Sequence, residues 1–141
     1  MTTVAYKDGI LAADGRVTAH DDLVSTDEDE KVFKLEDGSL FSAAGDVEDC
    51  EDLLEALRNG GDTPELDDIE ALWIKPDGSV YRFERKRWSK QRGKYFALGS
   101  GAGYALAAMD AGADALKAVK IAIKRDPRSG GEVQYVELDR P

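Results

Sequence analysis

The chain has 141 residues, and this length is typical of one domain spanning 1–141. Hydrophobic residues make up 42% and charged residues 34%, which is enough apolar content for a core and excludes a wholly disordered chain. The net charge of −10 disfavours nucleic-acid binding over the whole surface, because phosphate contacts need positively charged faces.

Three Asp-Gly pairs, Asp8-Gly9, Asp37-Gly38 and Asp77-Gly78, each separate two short apolar runs. Asp-Gly tolerates the positive φ angles that tight hairpins require. The pattern therefore predicts antiparallel hairpins rather than a βαβ array. The paired runs are 3–7 with 10–14, 32–35 with 40–44, and 72–75 with 80–84.

A helix is predicted directly after the second hairpin. Asp46 is a suitable N-cap, and the helix runs to Leu57 with apolar residues at helical spacing on one face. The segment 59–61, Asn-Gly-Gly, ends it. Cys50 lies on that apolar face, where we expect it to be part of the core.

The C-terminal third is predicted to contain a strand at 95–98, a helix of small residues at 101–111, and a second helix at 113–124, with Gly112 between the helices. The apolar and aromatic residues Val133, Tyr135 and Leu138 predict a last strand. The order of elements indicates an α+β fold, with an antiparallel sheet or pair of sheets and helices packed outside.

The sequence lacks the patterns of a membrane helix, a signal peptide and a cysteine-based metal site. No apolar run approaches the roughly 20 residues that a membrane helix needs, and the N-terminus lacks a signal-peptide pattern. One cysteine excludes an internal disulfide and a multi-thiolate zinc site. We therefore expect a cytoplasmic protein that binds neither a membrane nor a metal.

Two local patterns leave other functions open. Residues 99–103, Gly-Ser-Gly-Ala-Gly, lie between a strand and a helix as in a phosphate-binding turn, but without its Gly-Lys-Ser/Thr ending. The basic stretch 82–94 could bind nucleic acid, although a solvated loop or an electrostatic contact with an acidic neighbour fits the net charge better. The lone histidine, His20, lies in a polar loop, and we assign it no role.

Thr2 is the first candidate for a catalytic residue. Threonine is small enough for methionine aminopeptidase to remove Met1, which would expose Thr2 with a free α-amine. An N-terminal threonine carries a nucleophilic hydroxyl and, in its amine with a pKa of about 7.7–8.0, an adjacent base. An internal threonine lacks that base.

Five sequence blocks occur in a characteristic order. They are the opening Thr-Thr at 2–3, Ala-Asp-Gly-Arg-Val-Thr at 13–18, Ala-Gly at 44–45, Gly-Ser-Gly at 99–101 and Arg-Asp-Pro-Arg-Ser-Gly-Gly at 125–131. Together they resemble the catalytic β subunits of the 20S proteasome and the HslV peptidase, which are N-terminal-nucleophile (Ntn) hydrolases. The resemblance covers residues 1–50 and about 95–138.

The resemblance implies catalytic roles for seven residues: the nucleophile Thr2, the pair Asp14 and Lys31, the oxyanion-hole glycine Gly45, and the hydrogen-bonding residues Ser100, Asp126 and Ser129. A lysine cation beside Thr2 would favour the ionised hydroxyl, and the carboxylate would keep the buried lysine charged. For substrate binding, the resemblance implies that backbone near Thr18 and Gly45 holds an added strand and that Ala43 shapes the first specificity pocket.

The implied fold is an αββα sandwich in which one helix of the usual helical layer is missing or shortened. Residues 59–71 are too few for the family's second long helix, and 65–69 could form one turn at most. The implied function is a threonine peptidase acting on unfolded polypeptides, without a cofactor. The implied partners are further copies of the chain, in a ring or ring-derived homo-oligomer, and an AAA+ ATPase unfoldase.

The alternative is a catalytically inactive assembly or scaffold protein with the same fold. Three features favour it: the loss of the family's second long helix, Asp46 directly after Gly45, and Met1 ahead of Thr2. The Asp46 carboxylate would either face the oxyanion hole, where it would disfavour negative charge, or cap the following helix.

Overall fold

The structure is a computed structural model that describes residues 2–19 and 23–139. Met1 and His20 lie outside the described residues. The strands are β1 (Val4–Lys7), β2 (Ile10–Ala13), β3 (Val17–Ala19), β4 (Leu23–Thr26), β5 (Val32–Lys34), β6 (Leu40–Gly45), β7 (Ile69–Ile74), β8 (Val80–Glu84), β9 (Arg87–Gln91), β10 (Tyr95–Leu98) and β11 (Gln134–Glu137). The helices are α1 (Val47–Asn59), α2 (Ala102–Asp110) and α3 (Ala115–Arg125).

Two antiparallel sheets form the centre of the fold. The first has the strand order β10-β1-β2-β11 and the second has the order β5-β6-β7-β8-β9. Strands β3 and β4 pair separately as a two-stranded sheet. All three predicted hairpins are present, as β1–β2, β5–β6 and β7–β8. In the first, Asp8 and Gly9 both have positive φ, at 50° and 83°, as a two-residue hairpin turn of type I′ requires.

Alternation along the strands decides which layers touch. In β1, Val4 and Tyr6 belong to a cluster between the two sheets, whereas Ala5 packs with α2 and α3. In β6, Leu40 faces the first sheet, whereas Phe41 packs with α1. Both faces of both sheets are therefore covered, and the layers run α2/α3, first sheet, second sheet, α1. The predicted αββα sandwich is confirmed.

Helix α1 begins and ends where its capping residues predict. The Asp46 carboxylate accepts a hydrogen bond from the backbone N–H of Asp49 at 3.1 Å, and Gly60 ends the helix with a φ of 65°. Asp46 therefore caps the helix, which is the second of the two roles considered for it.

Several sequence predictions differ from the structure. No helical turn forms at 65–69, because Ile69 already begins β7. The basic stretch 82–94 is not a loop, since it contributes the end of β8 and all of β9. Some of its charge is neutralised within the chain, where Arg82 pairs with Glu70 and Lys86 pairs with Asp67. Strands β3 and β4 were not predicted.

Of the helices in residues 2–19 and 23–139, none is long and apolar enough to cross a bilayer.

The turn between β10 and α2 passes very close to the start of the chain. A Cβ atom at Gly99 would lie 1.9 Å from the backbone oxygen of Thr2, and one at Gly101 would lie 1.9 Å from Thr3 Oγ1. Real Cβ contacts are never this short, so these two glycines allow the turn to pack against residues 2 and 3.

We predict that Gly101→Ala lowers the free energy of unfolding by roughly 1–3 kcal/mol, because the new methyl group overlaps the buried Thr3 side chain. The matched control is Gly103→Ala in α2, where a Cβ would meet no atom within 4 Å. That change should stabilise the protein by roughly 0.5–1 kcal/mol through helix propensity. Urea unfolding measures both variants, and equal stabilities would contradict the close packing.

Candidate active site

Thr2, Asp14 and Lys31 meet at one end of the first sheet. Strands β1 and β2 are antiparallel, so the residues before β1 lie beside those after β2, and the Asp14 N–H donates to the Thr3 carbonyl at 3.1 Å. Lys31 directly precedes β5 in the second sheet. All three side chains are buried, with relative exposures of 3% for Thr2, 0% for Asp14 and 7% for Lys31.

The three side chains form a closed set of hydrogen bonds. Thr2 Oγ1 donates to Asp14 Oδ1 at 2.7 Å, and Lys31 Nζ donates to the same carboxylate oxygen at 2.9 Å. Lys31 Nζ also contacts Thr2 Oγ1 and donates to the backbone oxygen of Arg16. The threonine hydroxyl thus lies between a buried carboxylate and a buried ammonium group.

The Asp14 carboxylate is held by five donors. Oδ1 accepts from Thr2 Oγ1, Lys31 Nζ and the Thr3 N–H, the last at 3.1 Å. Oδ2 accepts from the N–H groups of Arg16 at 3.2 Å and Gly130 at 3.0 Å. A buried ion pair is stable only when its remaining hydrogen-bonding capacity is satisfied, and this one meets that condition.

A second hydrogen-bond network joins the C-terminal residues to residues 2 and 3. Asp126 Oδ2 accepts from Ser100 Oγ at 2.6 Å and from Ser129 Oγ at 2.7 Å. Ser129 Oγ is also 2.7 Å from Thr3 Oγ1, and Ser100 Oγ lies 3.4 Å from the Thr2 carbonyl oxygen. Burial raises the pKa of Asp126, but the hydrogen bonds from Ser100, Ser129 and the Arg128 N–H outweigh it, so its pKa lies below the usual value.

A cavity of about 510 Å³ lies beside Thr2 and is also lined by Thr18, Lys31, Ala43 and Gly45. Gly45 has a φ of 132°, and a Cβ there would lie 2.3 Å from the Asp68 carbonyl oxygen. No other residue type fits this position without movement of the backbone at Asp68 and Ile69.

The nine residues singled out in the sequence therefore separate into three groups. Five line the cavity: Thr2, Thr18, Lys31, Ala43 and Gly45. Asp14 contacts two of these, Thr2 and Lys31, without lining the cavity. Ser100, Asp126 and Ser129 hold the backbone oxygen of Thr2 and the side chain of Thr3.

Gln134 is a site residue that sequence reasoning missed. Its Nε2 donates to the backbone oxygens of Asp14 at 3.1 Å and Asp29 at 2.7 Å, and its Oε1 accepts from the Lys31 N–H at 2.8 Å. The amide thus connects the segments that carry Asp14 and Lys31. Gln134 shares the inward face of β11 with Val136, so a polar residue in an apolar alternation was the available signal.

Cys50 lines the same cavity but is not a candidate nucleophile. Burial raises the pKa of its thiol to about 12, and the nearby charges of Asp46, Asp49 and Asp29 act in the same direction. The thiol is therefore protonated at neutral pH. In the part of the chain that the structure describes, no group of three or more His, Cys, Asp or Glu side chains could hold a metal ion.

We predict that Asp126→Asn lowers stability in a pH-dependent way. Because the pKa of Asp126 is lower in the folded state, its contribution is present above the unfolded pKa of about 4 and is lost as the pH falls through the folded pKa. The deficit of the variant should be about 1–3 kcal/mol at pH 7 and should shrink below pH 4.

Urea unfolding at several pH values measures this difference. The control Asp62→Asn changes an exposed loop residue and should stay within about 0.5 kcal/mol of wild type throughout. A deficit for Asp126→Asn that did not change with pH would contradict the assignment of an ionised Asp126.

Comparisons with known proteins identify the family and the fold. The family model described as "Proteasome subunit" matches residues 1–75, which is more than half of the chain. The crystal structure of eukaryotic HslV from Trypanosoma brucei has a similar fold, with a TM-score of 0.78, 20% sequence identity and 99% of each chain covered. A search of curated proteins found no significant match. The chain belongs to the proteasome subunit family, a family of threonine peptidases of the Ntn type.

Proposed function

We propose that this protein is a peptidase in which Thr2, exposed by removal of Met1, is the nucleophile. The observation that carries the proposal is the position of Thr2 Oγ1 in contact with both Lys31 Nζ and Asp14 Oδ1. A hydroxyl beside a buried, paired ammonium group is poised to lose its proton, because the positive charge stabilises the alkoxide. A threonine without a catalytic role does not require a buried ammonium group and a buried carboxylate beside its hydroxyl.

In the proposed reaction, the α-amine of Thr2 takes the hydroxyl proton while Oγ1 forms a bond to the substrate carbonyl carbon. The resulting oxyanion accepts a hydrogen bond from the Gly45 N–H, an interaction of the kind that contributes roughly 3–4 kcal/mol. The intermediate collapses, the C–N bond breaks, and the leaving amine takes the proton from the Thr2 ammonium group. Water then attacks the acyl ester, with the same amine as the base, and releases the acid and free Thr2.

The other candidate residues orient this machinery. Asp14 fixes Lys31 in place and offsets the cost of burying its charge. Ser100, Asp126 and Ser129 anchor residues 2 and 3, and we assign them the role of orienting the Thr2 amine. These are positioning roles, except for any hydrogen bond to the amine itself.

We further propose that the substrate is an extended peptide. Thr18 in β3 and Gly45 at the end of β6 both border the cavity, so we propose that a peptide binds in extended form between these two segments. The small side chain of Ala43 leaves room for a substrate side chain. By likeness to HslV, we propose a ring-like homo-oligomer supplied with unfolded chains by an ATPase.

The competing proposal is a scaffold protein without activity. While a residue precedes Thr2, the Thr2 nitrogen is an amide and cannot act as a base. Retention of Met1 would therefore abolish the proposed chemistry and leave the fold intact.

We predict that protein released from a cleavable leader with Thr2 as its first residue forms a covalent adduct with a peptide epoxyketone, which needs both hydroxyl and amine. Intact-mass spectrometry measures the adduct, and the same measurement on natively expressed protein reports Met1 removal. Thr2→Ala should form no adduct, whereas Thr63→Ala, which changes an exposed threonine, should label like wild type.

Two results would favour the scaffold. One is complete retention of Met1 in the native protein. The other is failure of the Thr2-terminated protein to form the adduct while its circular dichroism spectrum remains that of a folded protein.

We predict that Lys31→Met lowers kcat for a peptide substrate by about 100- to 1,000-fold, because the alkoxide loses its neighbouring charge. The variant should also lose roughly 3–5 kcal/mol of stability, since Asp14 becomes an unpaired buried carboxylate. Lys34→Met is the matched control, because Lys34 ends β5, the strand that Lys31 directly precedes, and is exposed. Rates are normalised to the folded fraction, and equal rates for the two variants would contradict the role of Lys31.

A further inference from the structure

The cavity beside Thr2 has walls of two kinds. Its apolar walls come from the second sheet and α1, namely Phe33, Phe41, Ala43 and Leu54. Its charged walls carry five carboxylates from two segments, the loop before β5 and the N-cap and first turns of α1, namely Asp29, Glu30, Asp46, Glu48 and Glu51. The cavity therefore combines an apolar surface with a negative border.

The two cations that line the cavity do not neutralise this border. Lys31 is paired with Asp14, which itself lies outside the cavity lining. Arg16 is paired with Asp27, with Nε 2.7 Å from Oδ1 and Nη2 3.1 Å from Oδ2. Among residues 2–19 and 23–139, no lysine or arginine forms an ion pair with any of the five carboxylates. The net charge facing the cavity is negative.

Asp29 is held in place by its own backbone. Its N–H donates to the Gly15 oxygen at 3.0 Å, and its carbonyl accepts from Gln134 Nε2 at 2.7 Å. Burial raises the pKa of its carboxyl, Lys31 opposes the rise, and the nearby charge of Glu51 adds to it. Asp29 and Glu51 both line the cavity, so a cation bound there would be attracted to both carboxylates.

We propose that this cavity selects a lysine or arginine side chain on the residue whose carbonyl Thr2 attacks. The proposal rests on the peptidase function proposed above. Both side chains combine a long aliphatic stem, which can lie on the apolar walls, with a terminal cation for the carboxylates. A glutamate or aspartate side chain in the same place meets charge of its own sign. Asp29 and Glu51 are thus specificity-determining residues, and Lys31 is not.

The test uses three fluorogenic peptides that differ only in that residue, which is arginine, leucine or glutamate, with protein that begins at Thr2. We expect kcat/KM for the arginine peptide to exceed that for the leucine peptide by about tenfold, with the glutamate peptide lowest. High salt should reduce the preference for arginine, because it screens the charges of the carboxylates that line the cavity.

The variants Glu51→Gln and Asp29→Asn test whether these two carboxylates cause the preference for arginine. Each should lower kcat/KM for the arginine peptide about fivefold and leave the leucine peptide within about twofold of wild type. The matched control is Glu55→Gln, one turn further along α1 and outside the cavity lining, which should change neither peptide.

The outcomes separate this inference from the function on which it rests. Cleavage of the leucine or glutamate peptide in preference to the arginine peptide overturns the inference alone, as does an equal loss for both peptides in Glu51→Gln. Failure to cleave any of the three peptides, together with absence of the epoxyketone adduct, overturns the peptidase itself.

Discussion

The buried ion pair between Lys31 and Asp14 is the constraint on which the rest of the site depends. Removing two charges from water costs several kcal/mol for each ion, and the cost is offset only by close geometry and complete hydrogen bonding. Here the carboxylate has five donors, and the ammonium group contacts Asp14, Thr2 and a backbone oxygen. The charges therefore fix the backbone at the start of β1, the end of β2 and the loop before β5.

The layered fold supplies these segments at one place. The cluster between the sheets packs β1 and β2 against β5 and β6. On the other face of the first sheet, α2 and α3 pack against β1 and β2, and the turn between β10 and α2 contacts residues 2 and 3. Gln134 in β11 then ties the segment of Asp14 to that of Lys31 through backbone hydrogen bonds. The position of Thr2 thus follows from packing on both faces of the first sheet.

The residues proposed for the chemistry and those proposed for substrate selection belong to different parts of the molecule. The hydroxyl, the ion pair and the serine–aspartate network belong to the ends of the first sheet and the C-terminal segment. The cavity walls belong mainly to the second sheet, α1 and the loop before β5. Changes in α1 can therefore alter the charge of the cavity without disturbing the buried network, which is a physical basis for varying specificity on a constant mechanism.

The sequence by itself determined the local structure, because local chemistry suffices for it: Asp8-Gly9 specifies a tight turn, and Asp46 and Gly60 delimit α1. Its ordered blocks also indicated the family and the nine site residues, whose roles remain proposals. Strand β9 was missed because its charged residues have no apolar alternation and its pairing partner, β8, decides its structure.

Only the tertiary structure revealed the bridging role of Gln134 and, among the described residues, the carboxylates around the cavity that have no lysine or arginine partner. Both depend on contacts between segments far apart in the chain, such as Gln134 with Asp14 and α1 with the loop before β5, which no local pattern encodes.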